Sequence, residues 1–460
     1  MTPVFSNESS RVPQGSRVDK PMAFRHSNDN SADNPNPAKG GTIATRFLLF
    51  YMWLDLIRPS FVWHFPKFLS TVLFVTWLLQ PNKRIPRQNL LMLLFLGVMT
   101  IDIPIAKNSF DAVWTTYGMA VLFLGLCLPL VHFINSIARF QVIMHTLMGI
   151  YIVIGMWASA HSGYGPAAAD GGQDENYVTA CMAMGFPLLL YSSLSEGSKL
   201  KKILYLAPIP ILLLAVIVAE NPSRGGFLGF VCTIVYMVYH SKKRVMALVS
   251  VGVLAACVGL VAGNKFLDEI GTTADTDTGT ADHRKDLWRM ATYMFMSYPL
   301  TGVGPNNFRW RISEFETSEI IEKYGHSLGA TAYTHSLYFE LLAELGSAGV
   351  VLFALIVVRN FRDLAEIKMR VQQAMEVVAS AATNGEAITS PRTSTGTLKL
   401  LHCYTQGIAA SLIAFLVCSA FISTLYYSYF WLYSALIASF KLIADKLLLQ
   451  LAGGPDRSMR

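Results

Sequence analysis

The sequence predicts an all-α, polytopic membrane protein with about twelve transmembrane helices and a large, mostly helical external loop. Three observations carry this. Of the 460 residues, 53% are hydrophobic and 15% charged, whereas a soluble domain carries about 25% charged residues. Apolar runs approaching the roughly 20 residues that cross a bilayer recur along the chain. One polar stretch of about seventy residues interrupts them, far longer than an ordinary connection. A large soluble core would instead need polar faces at helical spacing, and segments such as 203–218 have none.

The apolar runs fall at 44–62, 67–80, 89–105, 111–134, 140–158, 177–194, 203–219, 225–240, 245–263, 336–358, 403–423 and 424–448, the last two open to reading as one broken hairpin. Residues 1–42 are rich in Asn, Ser, Pro and Gly without apolar periodicity and read as a disordered cytoplasmic tail. Residues 43–263 hold the first nine spans, 264–334 the external, periplasmic loop and 335–449 the last three, followed by a 450–460 tail. Within the third block, 371–399 turns from a helical pattern into Ser-Pro-Arg-Thr-Ser-Thr-Gly and reads as a flexible cytoplasmic loop. Asp275 and Asp277 lie in a Thr- and Gly-rich stretch that lacks the closing glutamate of a calcium loop.

Net charge is +7, and its placement sets the orientation. Lys83, Arg84 and Arg87; Lys199, Lys201 and Lys202; Lys242, Lys243 and Arg244; and Arg359, Arg362, Lys368 and Arg370 mark alternate connections, while 159–176 holds no Lys or Arg. The positive-inside rule makes the basic connections and the N-terminus cytoplasmic. Arg224, the long loop and His335 then face outside. The cysteines, Cys127, Cys181, Cys232, Cys257, Cys403 and Cys418, show no metal or disulfide spacing. No metal, cofactor or nucleic-acid partner is expected.

Cations at the edge of hydrocarbon are costly and are kept mainly where they bind or react. Arg224 stands in Ser223-Arg224-Gly225-Gly226 at the head of a span. Its planar fork suits phosphate oxygens, and a cation at a helix N-terminus calls for an anionic partner; snorkelling to the interface is the competing reading. Arg284 precedes Trp288 by one turn, as on an amphipathic helix lying on the membrane surface. Arg289, Arg309 and Arg311 extend a basic field that could gather an anionic headgroup. His335 opens the next span with a side chain able to take a proton near neutral pH. Glu340 and Glu344 lie inside that span and need partners, either site cations or structural pairs. Asp174-Glu175-Asn176 closes an outer loop; Asp174 reads as a helix cap, and Glu175 and Asn176 could contact a ligand.

Together these residues resemble the superfamily of bacterial O-antigen ligases and related polysaccharide polymerases. The resemblance rests on the order of Glu175-Asn176, Ser223-Arg224-Gly225-Gly226, Arg284 with Trp288, Tyr298-Pro299-Leu300-Thr301-Gly302-Val303-Gly304-Pro305-Asn306-Asn307-Phe308, His335-Ser336-Leu337 and Glu344-Leu345-Gly346-Ser347-Ala348-Gly349. The stretch from His335 to Glu340 is similar to the O-glycosylation ligases associated with exosortase systems. Ser336, where many members have Asn, and the hydrophilic N-terminal tail depart from the pattern.

The resemblance implies a metal-independent, inverting membrane glycosyltransferase of the bacterial inner membrane. Its donor would be a glycan on undecaprenyl diphosphate and its acceptor a hydroxyl on a lipid, glycan or protein at the outer face, with membrane lipids as surroundings. Arg224 and Arg284 would hold the diphosphate and His335 would act as base. A repeat-unit polymerase of the same superfamily is the first alternative. A transporter or flippase is the second, although it would be expected to show internal repeats and charges near midspan.

Overall fold

A computed structural model describes residues 39–58, 65–167, 173–262, 264–271, 279–383 and 391–451. The predicted disordered tail and the Asp275–Asp277 stretch lie almost entirely outside them. The described residues form helices and no strands. In chain order the helices are α1 (Lys39–Ile57), α2 (Phe65–Leu78), α3 (Arg87–Asp102), α4 (Ser109–Leu122), α5 (Leu128–Phe133), α6 (Ile137–Ala160), α7 (Glu175–Ser195), α8 (Lys199–Leu206), α9 (Ile209–Ile217), α10 (Arg224–His240) and α11 (Arg244–Val261). The outer loop contributes α12 (Asn264–Gly271), α13 (Gly279–Ser297), α14 (Phe308–Arg311) and α15 (Ser318–Tyr324). Then come α16 (Leu337–Thr383), α17 (Pro391–Cys418) and α18 (Ser428–Leu451).

Each predicted apolar run is mostly helical among the described residues. Eight candidate spans are long and apolar enough to cross a membrane by length and composition. Two runs are interrupted. A π turn at Phe123–Cys127 joins α4 to α5 just before Pro129, which has no N–H for the helical ladder. Pro208 and Pro210 likewise break the run between α8 and α9. The last two runs are separate helices joined by the linker 419–427, not one broken hairpin. The predicted flexible loop at 371–399 is helical at both described ends, because α16 continues to Thr383 and α17 starts at Pro391.

Helix α17 packs on α7, α10 and α16. The centre is aromatic: Trp431 meets Phe95 at 4.8 Å and Phe123 at 4.9 Å between ring centroids, and Phe430 meets Phe353 at 4.5 Å. By contrast, α11 has no buried residue, as expected of a helix that faces lipid.

The outer loop is folded onto the bundle by a break in α16. Gly346 has φ +57°, a left-handed conformation that glycine alone adopts freely. The break frees carbonyls and amides of one helical turn, and the Pro299–Gly304 turn satisfies them. Val303 N donates to Ala343 O at 2.8 Å and Gly304 N to Glu344 O at 3.0 Å. In return Ser347 N donates to Pro299 O at 2.9 Å and Ala348 N to Leu300 O at 3.3 Å. The Pro-Leu-Thr-Gly-Val-Gly and Glu-Leu-Gly motifs are therefore two halves of one hydrogen-bonded unit.

Glu344 completes it. Its carboxylate accepts from Asn306 N at 2.7 Å, Phe308 N at 3.0 Å and the Tyr426 hydroxyl at 2.6 Å. A buried carboxylate is tolerated when donors replace its water. Glu344, open in the sequence between a partner for site cations and a structural pair, pins the outer loop and the 419–427 linker to α16.

Candidate functional site

The three motif residues come from α10, α13 and the approach to α16, and one aromatic side chain of the 419–427 linker links their supports. Phe421 lies against Gly225, the residue after Arg224; a Cβ there would stand 2.6 Å from Phe421 Cβ. The Phe421 ring centroid is 6.5 Å from that of Trp288, one turn after Arg284. Trp288 Nε1 donates to Thr334 O, the carbonyl before His335, at 2.9 Å, and the indole stacks on Phe339 at 4.9 Å. The same linker holds the approach to α16, with Leu337 N donating to Ser419 O at 2.9 Å and the Thr334 and Ser423 hydroxyls 3.0 Å apart.

Each motif residue is held by its local chain. Ser223 caps α10 by accepting from Gly226 N at 2.9 Å, which places Arg224 in the first turn. Gly226 leaves no room for a side chain, since a Cβ would lie 2.2 Å from Thr179 Cγ2. Helix α13 is clamped to α15: Asp286 accepts from Lys323 at 2.6 Å and Tyr324 at 2.9 Å. Those hydrogen bonds overcome desolvation and hold the Asp286 carboxyl below its ordinary range.

The apolar face of α13, with Leu287, Met290, Ala291 and Met294, is buried inside the loop and against Ala343. The predicted membrane-surface helix is thus packed on protein on that face. His335 does not open α16. It precedes the helix with φ +47°, an uncommon left-handed conformation for a histidine, and its side chain remains accessible.

Electrostatics show the side chains to be neighbours. Desolvation lowers the Arg284 pKa; Asp174 opposes this, and the positive charge of Arg224 adds to it. Desolvation also lowers the His335 pKa, with Arg284 lowering it further, Asp174 raising it and His283 lowering it. The like charges of Arg224 and Arg284 thus oppose one another. The net effect at His335 favours the neutral imidazole, the form that accepts a proton.

The sequence reading treated Asp174 chiefly as a cap. It does cap α7, accepting from Tyr177 N at 2.9 Å, and it also faces Arg284 and His335. Asn176 donates to Asp174 at 3.2 Å.

The remaining predicted contacts are used within the protein. Arg309 binds Asp111 at 2.5 Å and the Tyr333 hydroxyl at 3.1 Å. Arg311 donates to the Tyr298 hydroxyl and to Ile105 O, both at 2.9 Å. These two arginines fasten the outer loop to the α3–α4 connection. Arg289 lies 3.8 Å from Asp286 and 3.9 Å from Glu319 on the loop surface. Glu175 is 5% exposed, enclosed rather than open to a ligand. Among the described residues, no group of three or more His, Cys, Asp or Glu side chains is placed to hold a metal.

Two further features were missed. Phe421 was overlooked because it lies in an apolar run without a polar marker. An apolar groove of about 500 Å³ runs beside the site, lined by Tyr338, Phe339, Val350, Phe353, Val357 and Leu416. It shares Phe339 with the Trp288 stack.

Residues 209–354 match the family model described as O-antigen ligase. The match runs from α9 into α16 and contains Arg224, Arg284, His335 and the outer loop. No curated protein matches the chain.

Proposed function

We propose that this member of the O-antigen ligase and polysaccharide polymerase superfamily is an inverting glycosyltransferase of the inner membrane. It moves a glycan from undecaprenyl diphosphate to an acceptor hydroxyl at the outer, periplasmic face. The observation that carries this reading is the convergence of the elements bearing Arg224, Arg284 and His335 through Phe421, Trp288 and Thr334, with Asp174 acting on both Arg284 and His335.

The chemistry follows from those groups. The diphosphate binds to Arg224 and Arg284, whose forks match its oxygens. As the bond from the anomeric carbon to the diphosphate breaks, negative charge gathers on the departing oxygen, and the fixed cations stabilise it. His335 takes the proton of the acceptor hydroxyl as its oxygen bonds the anomeric carbon from the opposite face. The result is an inverted glycosidic bond, undecaprenyl diphosphate and a protonated imidazole that releases its proton to water. Asp174 offsets part of the imidazolium charge. The groove past Phe339 suits the polyprenyl chain, an apolar volume reached without leaving hydrocarbon.

The test is transfer in membranes carrying the protein, supplied with the lipid-linked glycan and acceptor of the native host. The product linkage is read by NMR. Inversion at the anomeric carbon with undecaprenyl diphosphate released is the expected result; retention of configuration contradicts the single-displacement step.

A further inference from the structure

We propose that the buried Glu175 carboxylate is a positioning residue for Arg224, acting through Asn221. The inference rests on the reading that Arg224 binds the donor diphosphate.

Helix α7 begins with two acids that have different surroundings. Asp174 is exposed and faces Arg284 and His335. Glu175 is buried. Its Oε1 accepts from Asn221 Nδ2 at 3.1 Å. Tyr164 lies beside both groups, and Glu175 is the main reason its pKa is raised.

The backbone around this carboxylate is drawn together as well. Glu220 N donates to Ser162 O at 2.9 Å. Gly163 has φ +90°, and a Cβ there would lie 2.7 Å from Ala219 Cα and 3.3 Å from Glu175 Cγ. The outer loop after α6 and the strand of chain before α10 are therefore joined around one carboxylate. A carboxylate that touched substrate would face the open site; this one is enclosed by its own protein donors.

The clasp lies three residues from Arg224, and the chain between them has little freedom. Pro222 fixes its own φ. Ser223 is 4% exposed and bound as the α10 cap. Gly225 and Gly226 abut Phe421 and Thr179. A shift at Asn221 is consequently passed to Arg224, not absorbed by a loose loop. Removing Glu175 leaves the Asn221 amide without its acceptor. Glutamine keeps an oxygen where Asn221 needs one.

The experiment measures binding of undecaprenyl diphosphate, without glycan, to the purified full chain in detergent. Arg224→Ala is expected to weaken binding about tenfold or more, as loss of a charge-assisted fork does. Glu175→Ala is expected to weaken it about three- to tenfold, the scale of one lost hydrogen bond. Glu175→Gln should restore affinity to within about twofold, because its amide oxygen still accepts. If Glu175→Ala does not fold, Asn221→Ala breaks the clasp from its other end and carries the same expectation.

Wild-type affinity in Glu175→Ala alongside weak binding in Arg224→Ala overturns the positioning role and leaves the donor reading intact. Glu175→Gln binding as weakly as Glu175→Ala also overturns it, since the charge and not the clasp would then matter. Wild-type affinity in Arg224→Ala removes the donor reading and this inference with it.

Discussion

Trp288 Nε1 donates to the carbonyl of Thr334 at 2.9 Å. This bond ties the helix that carries Arg284 to the residue before His335, across a long stretch of outer loop. Arg284 and His335 thus share one support, and errors in its placement should reach both.

Trp288→Phe tests that coupling. Phenylalanine keeps an aromatic surface against Phe339 but cannot donate to Thr334. Turnover is expected to fall about three- to tenfold, the scale of one hydrogen bond, with little change in melting temperature. An unchanged kcat in a folded Trp288→Phe protein would show that the bond does not position His335.

The pH profile follows from the His335 environment. Desolvation and Arg284 lower its pKa, and in the proposed reaction neutral imidazole is the active form. Activity is then full above the shifted pKa and lost as pH falls through it. The acid limb of kcat/KM is expected below about 6.5, the ordinary histidine value. A limb well above that value would mean that a different group titrates or that Arg284 is not beside the base.

Gly346 and Glu344 hold the outer loop in place, and their variants should fail through folding. A Cβ at Gly346 would lie 2.6 Å from Leu300 C and 2.7 Å from Gly302 N, both backbone atoms. Gly346→Ala is expected to cost about 2–4 kcal/mol, combining the clash with a left-handed φ. Glu344→Ala strands three donors and should cost a similar amount. Thermal unfolding in detergent decides: a stable Glu344→Ala protein with a raised KM would return Glu344 to the ligand-binding set.

Arg309 provides the opposite control. It is paired with Asp111 and Tyr333, so Arg309→Ala should lower the melting temperature while undecaprenyl diphosphate affinity stays within about twofold, the change of a residue outside the site. Tenfold weaker binding at an unchanged melting temperature would place Arg309 in the donor site after all.

Helical class and membrane character were legible because apolar runs of spanning length carry their own signal. The break at Gly346 was less so. Glu344-Leu345-Gly346 and Pro299-Leu300-Thr301-Gly302 each looked like separate motifs, and only the hydrogen bonds from Val303 to Ala343 and from Ser347 to Pro299 show that they form one unit. At the site, Arg224, Arg284 and His335 stood out as charged or titratable groups beside apolar runs. Arg309 and Arg311 stood out for the same reason, yet their terminal guanidinium nitrogens bind Asp111, Tyr298 and Ile105, although the Nε of each has no partner among the described residues. Charge type alone does not separate a ligand contact from an internal tie. Asp174 shows the converse, since its capping bond to Tyr177 concealed its proximity to Arg284 and His335.

The most direct test of the central claim is glycan analysis by mass spectrometry and gels in the native host. Wild type is compared with Arg284→Ala and His335→Ala, all matched for expression. The expected result is loss of the acceptor-linked glycan with long lipid-linked glycan accumulating in both variants. Accumulation of single lipid-linked repeats would redirect the assignment to a polymerase. Unchanged glycans in both variants would contradict a site built on Arg284 and His335.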